Sequence, residues 1–438
     1  MSDSSSSVTA QAQAARTAAA ALVHAGPDAR RAVLGAWANA LEDPSVRERI
    51  LAANATDLAA AHEQQARGEL GASLVARLVL DGGKLDGLAV GLRQLAAMDD
   101  PLAQPLLRRE LAEGLVLEKV PAPLGMLGIV FESRPDALVQ IASLCLKSGN
   151  AALLKGGREA LATNRALASV LHEVLAAHGL DPAVVTLLED REAFTAMLAL
   201  DDLVDLVVAR GSSSFVETVR ANTKIPVVAH AAGICHVVLD AACDPAVAVP
   251  VMIDAKTSYP SACNAVETML WMPGAEASLD AVIAALRARD VEVRACPATL
   301  ARFPDATPAQ AHDFDTEHGA LVLNVAKVED LDAALAHVAR HGSRHTEAVL
   351  TRDPKAAARF LAEVDAACVF HDASTRFADG FRFGLGAEVG IATGKLHARG
   401  PVGLDGLLTS RWLLRGQGHA ASDFGPGKRA YTHRDLPT

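Results

Sequence analysis

Residues 258–269, SYPSACNAVETM, set Cys263 among a serine, a proline and an asparagine, between a helical run and a strand-like run. Four other cysteines, Cys145, Cys235, Cys296 and Cys368, sit in apolar runs, and Cys243 marks the end of an element. Those five read as structural thiols. A thiol near a turn with free backbone N–H groups ionises more readily than one in a core, so Cys263 is a candidate nucleophile. Local polarity alone leaves nucleophile and ordinary thiol equally open. No cysteine pair has CxxC spacing and no HExxH or Ser-His-Asp pattern occurs, so no metal ligand set is expected.

Two strand-to-helix turns, KGGRE (155–159) and RGSSS (210–214), would expose backbone N–H groups at a helix N-terminus, where anions are favoured. Lys155, Arg158, Gly211 and Ser212 are candidates for ribose or phosphate oxygens; plain capped loops are the alternative. The G-x-G-x-x-G fingerprint is absent, and GLGAEVG (384–390) has the wrong spacing for it. His341 and His345 are separated by Gly342 and read as surface or loop residues. His397, in KLHARGP, reads as an anion contact or as an exposed loop residue.

The elements that must position these residues follow from periodicity. Residues 8–98 are Ala- and Leu-rich with helical spacing, whereas GLVLEKV and GMLGIVF read as strands. From there strands and helices alternate to about residue 371. In the first of these rounds this predicts a doubly wound parallel sheet with ligands at the carboxyl ends of its strands. IPVVAHAAGICHVVLD reads as a return to strand, and two α/β units divide near 240–245. MSDSSSS reads as a disordered leader.

The 438 residues carry 41 Lys and Arg against 52 Asp and Glu, a net charge of -11. That balance argues against a nucleic-acid partner. No run of 18 apolar residues and no secretory pattern at the N-terminus occurs, which argues against a membrane span and for reduced thiols in the cytoplasm.

PLGMLGIVFESRPDALVQIASLCLKSGNAALLKGG, SYPSACNAVET and FGLGAEVGIATGKLHARGPVGLDGLLTS together resemble the γ-glutamyl phosphate reductase (glutamate-5-semialdehyde dehydrogenase) family, a branch of the aldehyde dehydrogenase superfamily. HGSRHTEAVLTRD and DASTRFADG extend the likeness over essentially the whole chain beyond the leader. The resemblance implies an α/β, aldehyde dehydrogenase-like fold: two doubly wound parallel-sheet domains plus a β-hairpin oligomerisation arm. The expected division is a leader (1–7), an NADP-binding domain (8–243, arm about 106–120), a catalytic domain (244–395) and a returning C-terminal segment (396–438).

It further implies NADPH-dependent reduction of γ-glutamyl 5-phosphate to glutamate 5-semialdehyde, the second step of proline biosynthesis. Cys263 falls at the position of the family's nucleophile, which forms a thioester with loss of phosphate, and Ser133 where hydrolytic relatives use an Asn amide. Lys155 falls at the adenosine ribose, Arg158 suits a 2′-phosphate, and Glu317 matches the carboxylate for the nicotinamide ribose. Arg134, Arg376 and Lys395 are the candidate cations for substrate carboxylate and phosphate. The stretch AHAAGICH lacks the general-base Glu of hydrolytic relatives, as suits a thioester that awaits hydride. A homodimer or tetramer is implied, and a separate glutamate kinase must supply the acyl phosphate. The rival readings are an acylating enzyme that uses coenzyme A and a catalytically idle binding protein. Dependence on phosphate separates them.

Overall fold

The computed structural model describes residues 3–131, 134–211, 213–229 and 232–438. The chain starts with helices Asp3–His24, Gly26–Glu42, Pro44–Ala66, Ala72–Leu78 and Gly82–Ala97. The first of these corrects the expected leader, since residues 3–7 are helical. Val8, Ala12, Ala15, Ala18 and Leu22 recur every three or four residues and are buried. One apolar face therefore holds the helix on the core, and it runs on into the serines. Aspartates start many of the helices: Asp43, Asp81, Asp190, Asp244, Asp330 and Asp353 each accept an N–H of the first turn.

The hairpin Leu107–Ala112/Leu115–Pro123 is antiparallel. The C-terminal strands Leu408–Arg415 and Arg434–Leu436 add to its two sides. Between them lie two parallel sheets. The first orders its strands Val185–Leu187, Ala151–Lys155, Met126–Val130, Leu206–Ala209, Val227–Ala229. The second orders Thr307–Pro308, Glu292–Ala295, Val322–Lys327, Val266–Trp271, Cys235–Leu239, Thr346–Leu350, Cys368–His371. Their central strands are buried on both faces, as the continuous Val-, Leu- and Ala-rich runs require.

The boundary expected at 243/244 moves. Val227–Ala229 ends the first sheet, but Cys235–Leu239 is already central to the second. One apolar run thus crosses between sheets, which hydropathy alone does not reveal. The return also begins before 396: Val389 and Ala392 pack in the core of the first unit.

Candidate active site

Cys263 lies in the turn between helix Pro245–Thr257 and strand Val266–Trp271, at the amino end of that strand. The candidate cofactor turns lie at carboxyl ends of the first sheet: Lys155 closes Ala151–Lys155, and Arg210 follows Leu206–Ala209. Arg210 and Cys263 feel each other's charge, so the carboxyl edge of one sheet meets the amino edge of the other.

Burial pushes the Cys263 thiol up to about 12, and the carboxylates Glu317 and Glu388 add to the shift; Arg210 and Arg376 oppose it. The Cys263 carbonyl is met by the Cys235 thiol at 3.4 Å. A Cβ on Gly233 would stand 1.9 Å from the same carbonyl oxygen, so a bare backbone is required there.

Arg376 braces this turn. Its Nη1 donates to Asn264 Oδ1, its Nε donates to Ser258 Oγ at 3.2 Å, and the guanidinium lies over Tyr259, 5.8 Å from the ring centre. Asn264 Nδ2 donates to the Ala378 carbonyl at 2.9 Å. Burial lowers the Arg376 pKa.

Nearby in the chain, Lys256 Nζ donates to Glu267 Oε2 at 3.0 Å, both side chains fully buried. Glu267 Oε1 accepts the Gly319 N–H at 3.2 Å, tying the Glu317 loop to the strand that follows Cys263. Burial raises the Glu267 carboxyl to about 7, against the pull of Lys256.

Arg134 lines a cleft of about 530 Å³ with Asp136, Gln140, Arg210 and Glu388, and its guanidinium is 3.5 Å from Asp136. Lys155 Nζ donates to the Gly156 carbonyl at 2.6 Å, and burial lowers its pKa. Arg158 is exposed beside it. A Cβ on Gly156 would meet Asn164 Nδ2 at 2.2 Å, so the turn runs bare over its helix and leaves a close approach open. Gly211 precedes helix Ser213–Ala221. Ser133 and Ser212 lie outside the described residues.

The structure thus gathers Cys263, Glu317 and Arg376, with Arg134 in the adjoining cleft. Lys395 instead pairs with Asp365 at 3.1 Å and is 65% exposed. His345, read as a surface or loop residue, lies in the loop just before strand Thr346–Leu350 but is buried, with the Thr346 hydroxyl at 2.8 Å. His341 ends helix Leu331–His341 and contacts Asp315 at 2.7 Å, and His397 contacts the Leu408 carbonyl at 3.0 Å.

Sequence reasoning missed Arg210 and Glu388. Arg210 immediately precedes a glycine already singled out, and Glu388 sits in GLGAEVG, set aside as a failed dinucleotide motif. Glu388 Oε2 accepts the Gly380 N–H at 2.8 Å; burial raises its pKa while Arg210 lowers it.

With this geometry in view, the comparisons are decisive. The chain is 51% identical to γ-glutamyl phosphate reductase of Synechococcus sp. (strain JA-3-3Ab), over 97% of this chain and 94% of that one. The chain belongs to the γ-glutamyl phosphate reductase family. It is an oxidoreductase with the aldehyde dehydrogenase-like fold. The enzyme of the same name from Prochlorococcus marinus (strain MIT 9303) is 50% identical, with 96% and 95% of the two chains covered. The crystal structure of the Thermotoga maritima γ-glutamyl phosphate reductase superposes with a TM-score of 0.89 at 35% identity, over 94% of this chain and 99% of that one. A propionaldehyde dehydrogenase from Rhodopseudomonas palustris shares the fold at a TM-score of 0.66 and 15% identity, with 93% of each chain covered. No protein-family model matches the sequence.

Proposed function

We propose that the protein reduces γ-glutamyl 5-phosphate to glutamate 5-semialdehyde with NADPH, through a Cys263 thioester, as the second step of proline biosynthesis. The observation that carries this reading is a reactive-residue type, Cys263, held where the two sheets meet in a chain half identical to γ-glutamyl phosphate reductases throughout its length. The sulfur attacks the acyl carbon, and the C–O bond to phosphate breaks with its electron pair going to phosphate, which departs carrying the thiol proton. NADPH, when bound, would supply the hydride that releases the acyl group as aldehyde, and the Cys263 sulfur would then regain a proton.

The residues fit such a cofactor. Lys155 and Gly211 lie in the anion-favouring turns and, with Ser212, take its phosphate and ribose oxygens; Arg158 takes the 2′-phosphate, and Glu317 takes the nicotinamide ribose. The Cys263 N–H, assisted by Ser133, receives the developing oxyanion. Arg134 and Arg376 serve the substrate's anionic groups, and the exposed Lys395 would join them only by leaving Asp365. A homo-oligomer, a separate glutamate kinase as the source of the acyl phosphate, and a cytoplasmic setting complete the reading.

The reaction run backwards tests it. Glutamate semialdehyde, NADP and phosphate are expected to give NADPH. Turnover that persists without phosphate, or survives Cys263→Ala, would sink the mechanism; turnover that requires coenzyme A instead would favour the acylating alternative.

A further inference from the structure

The proposed chemistry needs a cation for a phosphoryl group at the sulfur, and the cations chosen from sequence are largely engaged. Arg376 already donates to Asn264 and Ser258, Lys395 pairs with Asp365, and Arg134 faces Asp136, so each meets substrate only while sharing or leaving a partner. Arg210 differs. Its backbone N–H donates to the Val130 carbonyl at 2.9 Å, fixing it at the end of the first sheet. Its side chain runs along Gly390, where a Cβ would lie 3.4 Å from both Cγ and Cδ. Among the described residues its guanidinium has no hydrogen-bond or ion-pair partner, although it lines the cleft of about 530 Å³. Glu388 faces it across that cleft, held by the Gly380 N–H rather than by the guanidinium.

An unpaired guanidinium turned into a cleft is a prepared anion site, and its planar fork matches phosphate oxygens two at a time. Its charge bears on Cys263 as well as on Glu388, Arg134 and Asp136. Asn264, next to Cys263, holds the Ala378 carbonyl, and the following residue, Asp379, lines the same cleft as Arg210. The anion Arg210 holds therefore lies on the Cys263 side of the cleft, with the Arg134–Asp136 pair left for the polar end of the substrate.

We infer that Arg210 is the phosphate-binding residue of this site, gripping the phosphoryl oxygens of the substrate and then the departing phosphate. The inference rests on the function proposed above. Arg210 so placed touches substrate and stabilises phosphate as it gains the electron pair of the broken C–O bond.

The test uses inorganic phosphate in the reverse reaction with the full-length enzyme. For Arg210→Gln, the KM for phosphate is expected to rise roughly 10- to 100-fold, the range for losing a hydrogen bond to a charged group. The KM for semialdehyde is expected to stay within about twofold of wild type, a small fraction of that loss. Arg210→Lys keeps the charge and loses the fork, so it is expected to fall between the two and covers the case in which the glutamine variant does not fold. A semialdehyde KM that rises as much as that for phosphate, or no change in either, overturns the assignment. Wild-type enzyme that makes NADPH without phosphate would instead overturn the proposed function, so the two failures are distinct.

Discussion

Gly233 and Cys263 are packed backbone to backbone: a Cβ on Gly233 would meet the Cys263 carbonyl oxygen at 1.9 Å and its Cα at 2.6 Å. The link that leaves the first sheet is thus the wall against which the Cys263 turn is set. Gly233→Ala is expected to destabilise the fold by about 1–3 kcal/mol, as overpacking does. By moving Cys263 it is also expected to cut activity about 100-fold. Thermal melts and reverse-direction rates measure the two effects. An alanine variant with wild-type rates would show that the turn is not set by this contact.

The charges around the thiol predict its reactivity in the free protein. Burial holds Cys263 near 12, well above its usual 9.0. Iodoacetamide alkylation is therefore expected to accelerate about tenfold per pH unit from pH 7 to 10 without a plateau. The sign for stability follows: a thiol raised on folding contributes fully below pH 9 and loses its contribution as pH rises towards 12. Glu388→Gln or Glu317→Gln removes a charge that opposes the thiolate and is expected to speed alkylation roughly three- to tenfold at pH 8. Arg376→Ala is expected to slow it. A plateau near pH 7, or the same direction for both kinds of variant, would contradict this picture.

Much of this arrangement was legible in the sequence. The alternation of apolar runs with helical spacing fixed the two α/β units, because parallel strands buried on both faces leave continuous Val- and Leu-rich segments. The polar turn at Cys263 stood out for the same reason, as an interruption. The change of sheet at Gly233 did not, since the residues on either side are equally apolar. Arg210 and Glu388 are 178 positions apart and meet only when the C-terminal segment folds back on the first unit. Lys395 looked available because Asp365, thirty residues earlier, carries no local sign that it will pair with it.

Cofactor choice is open to a direct measurement. Arg158 is exposed one turn beyond Lys155, and a 2′-phosphate there would receive a charge-assisted hydrogen bond. Arg158→Ala is expected to raise the KM for NADPH about tenfold while leaving that for NADH within about twofold, the lower end for a solvent-screened contact. Equal effects on both cofactors would place Arg158 away from the 2′-phosphate.

The Lys256–Glu267 pair is fully buried, and Glu267 also holds the Gly319 N–H. Lys256→Met leaves a carboxylate in the core without its cation, a loss of about 3–5 kcal/mol. The pH dependence has a definite sign. Glu267 already titrates near 7 in the folded protein against an ordinary 4.5, and removing Lys256 pushes it higher still. A group raised on folding loses its contribution as pH rises. Lys256→Met is therefore expected to fall further below wild type at pH 8 than at pH 6. Glu267→Gln added to it removes the charge, and the pH 8 deficit is expected to shrink. If melts of the double variant showed the same pH 8 deficit as Lys256→Met alone, the buried carboxylate would not be its cause.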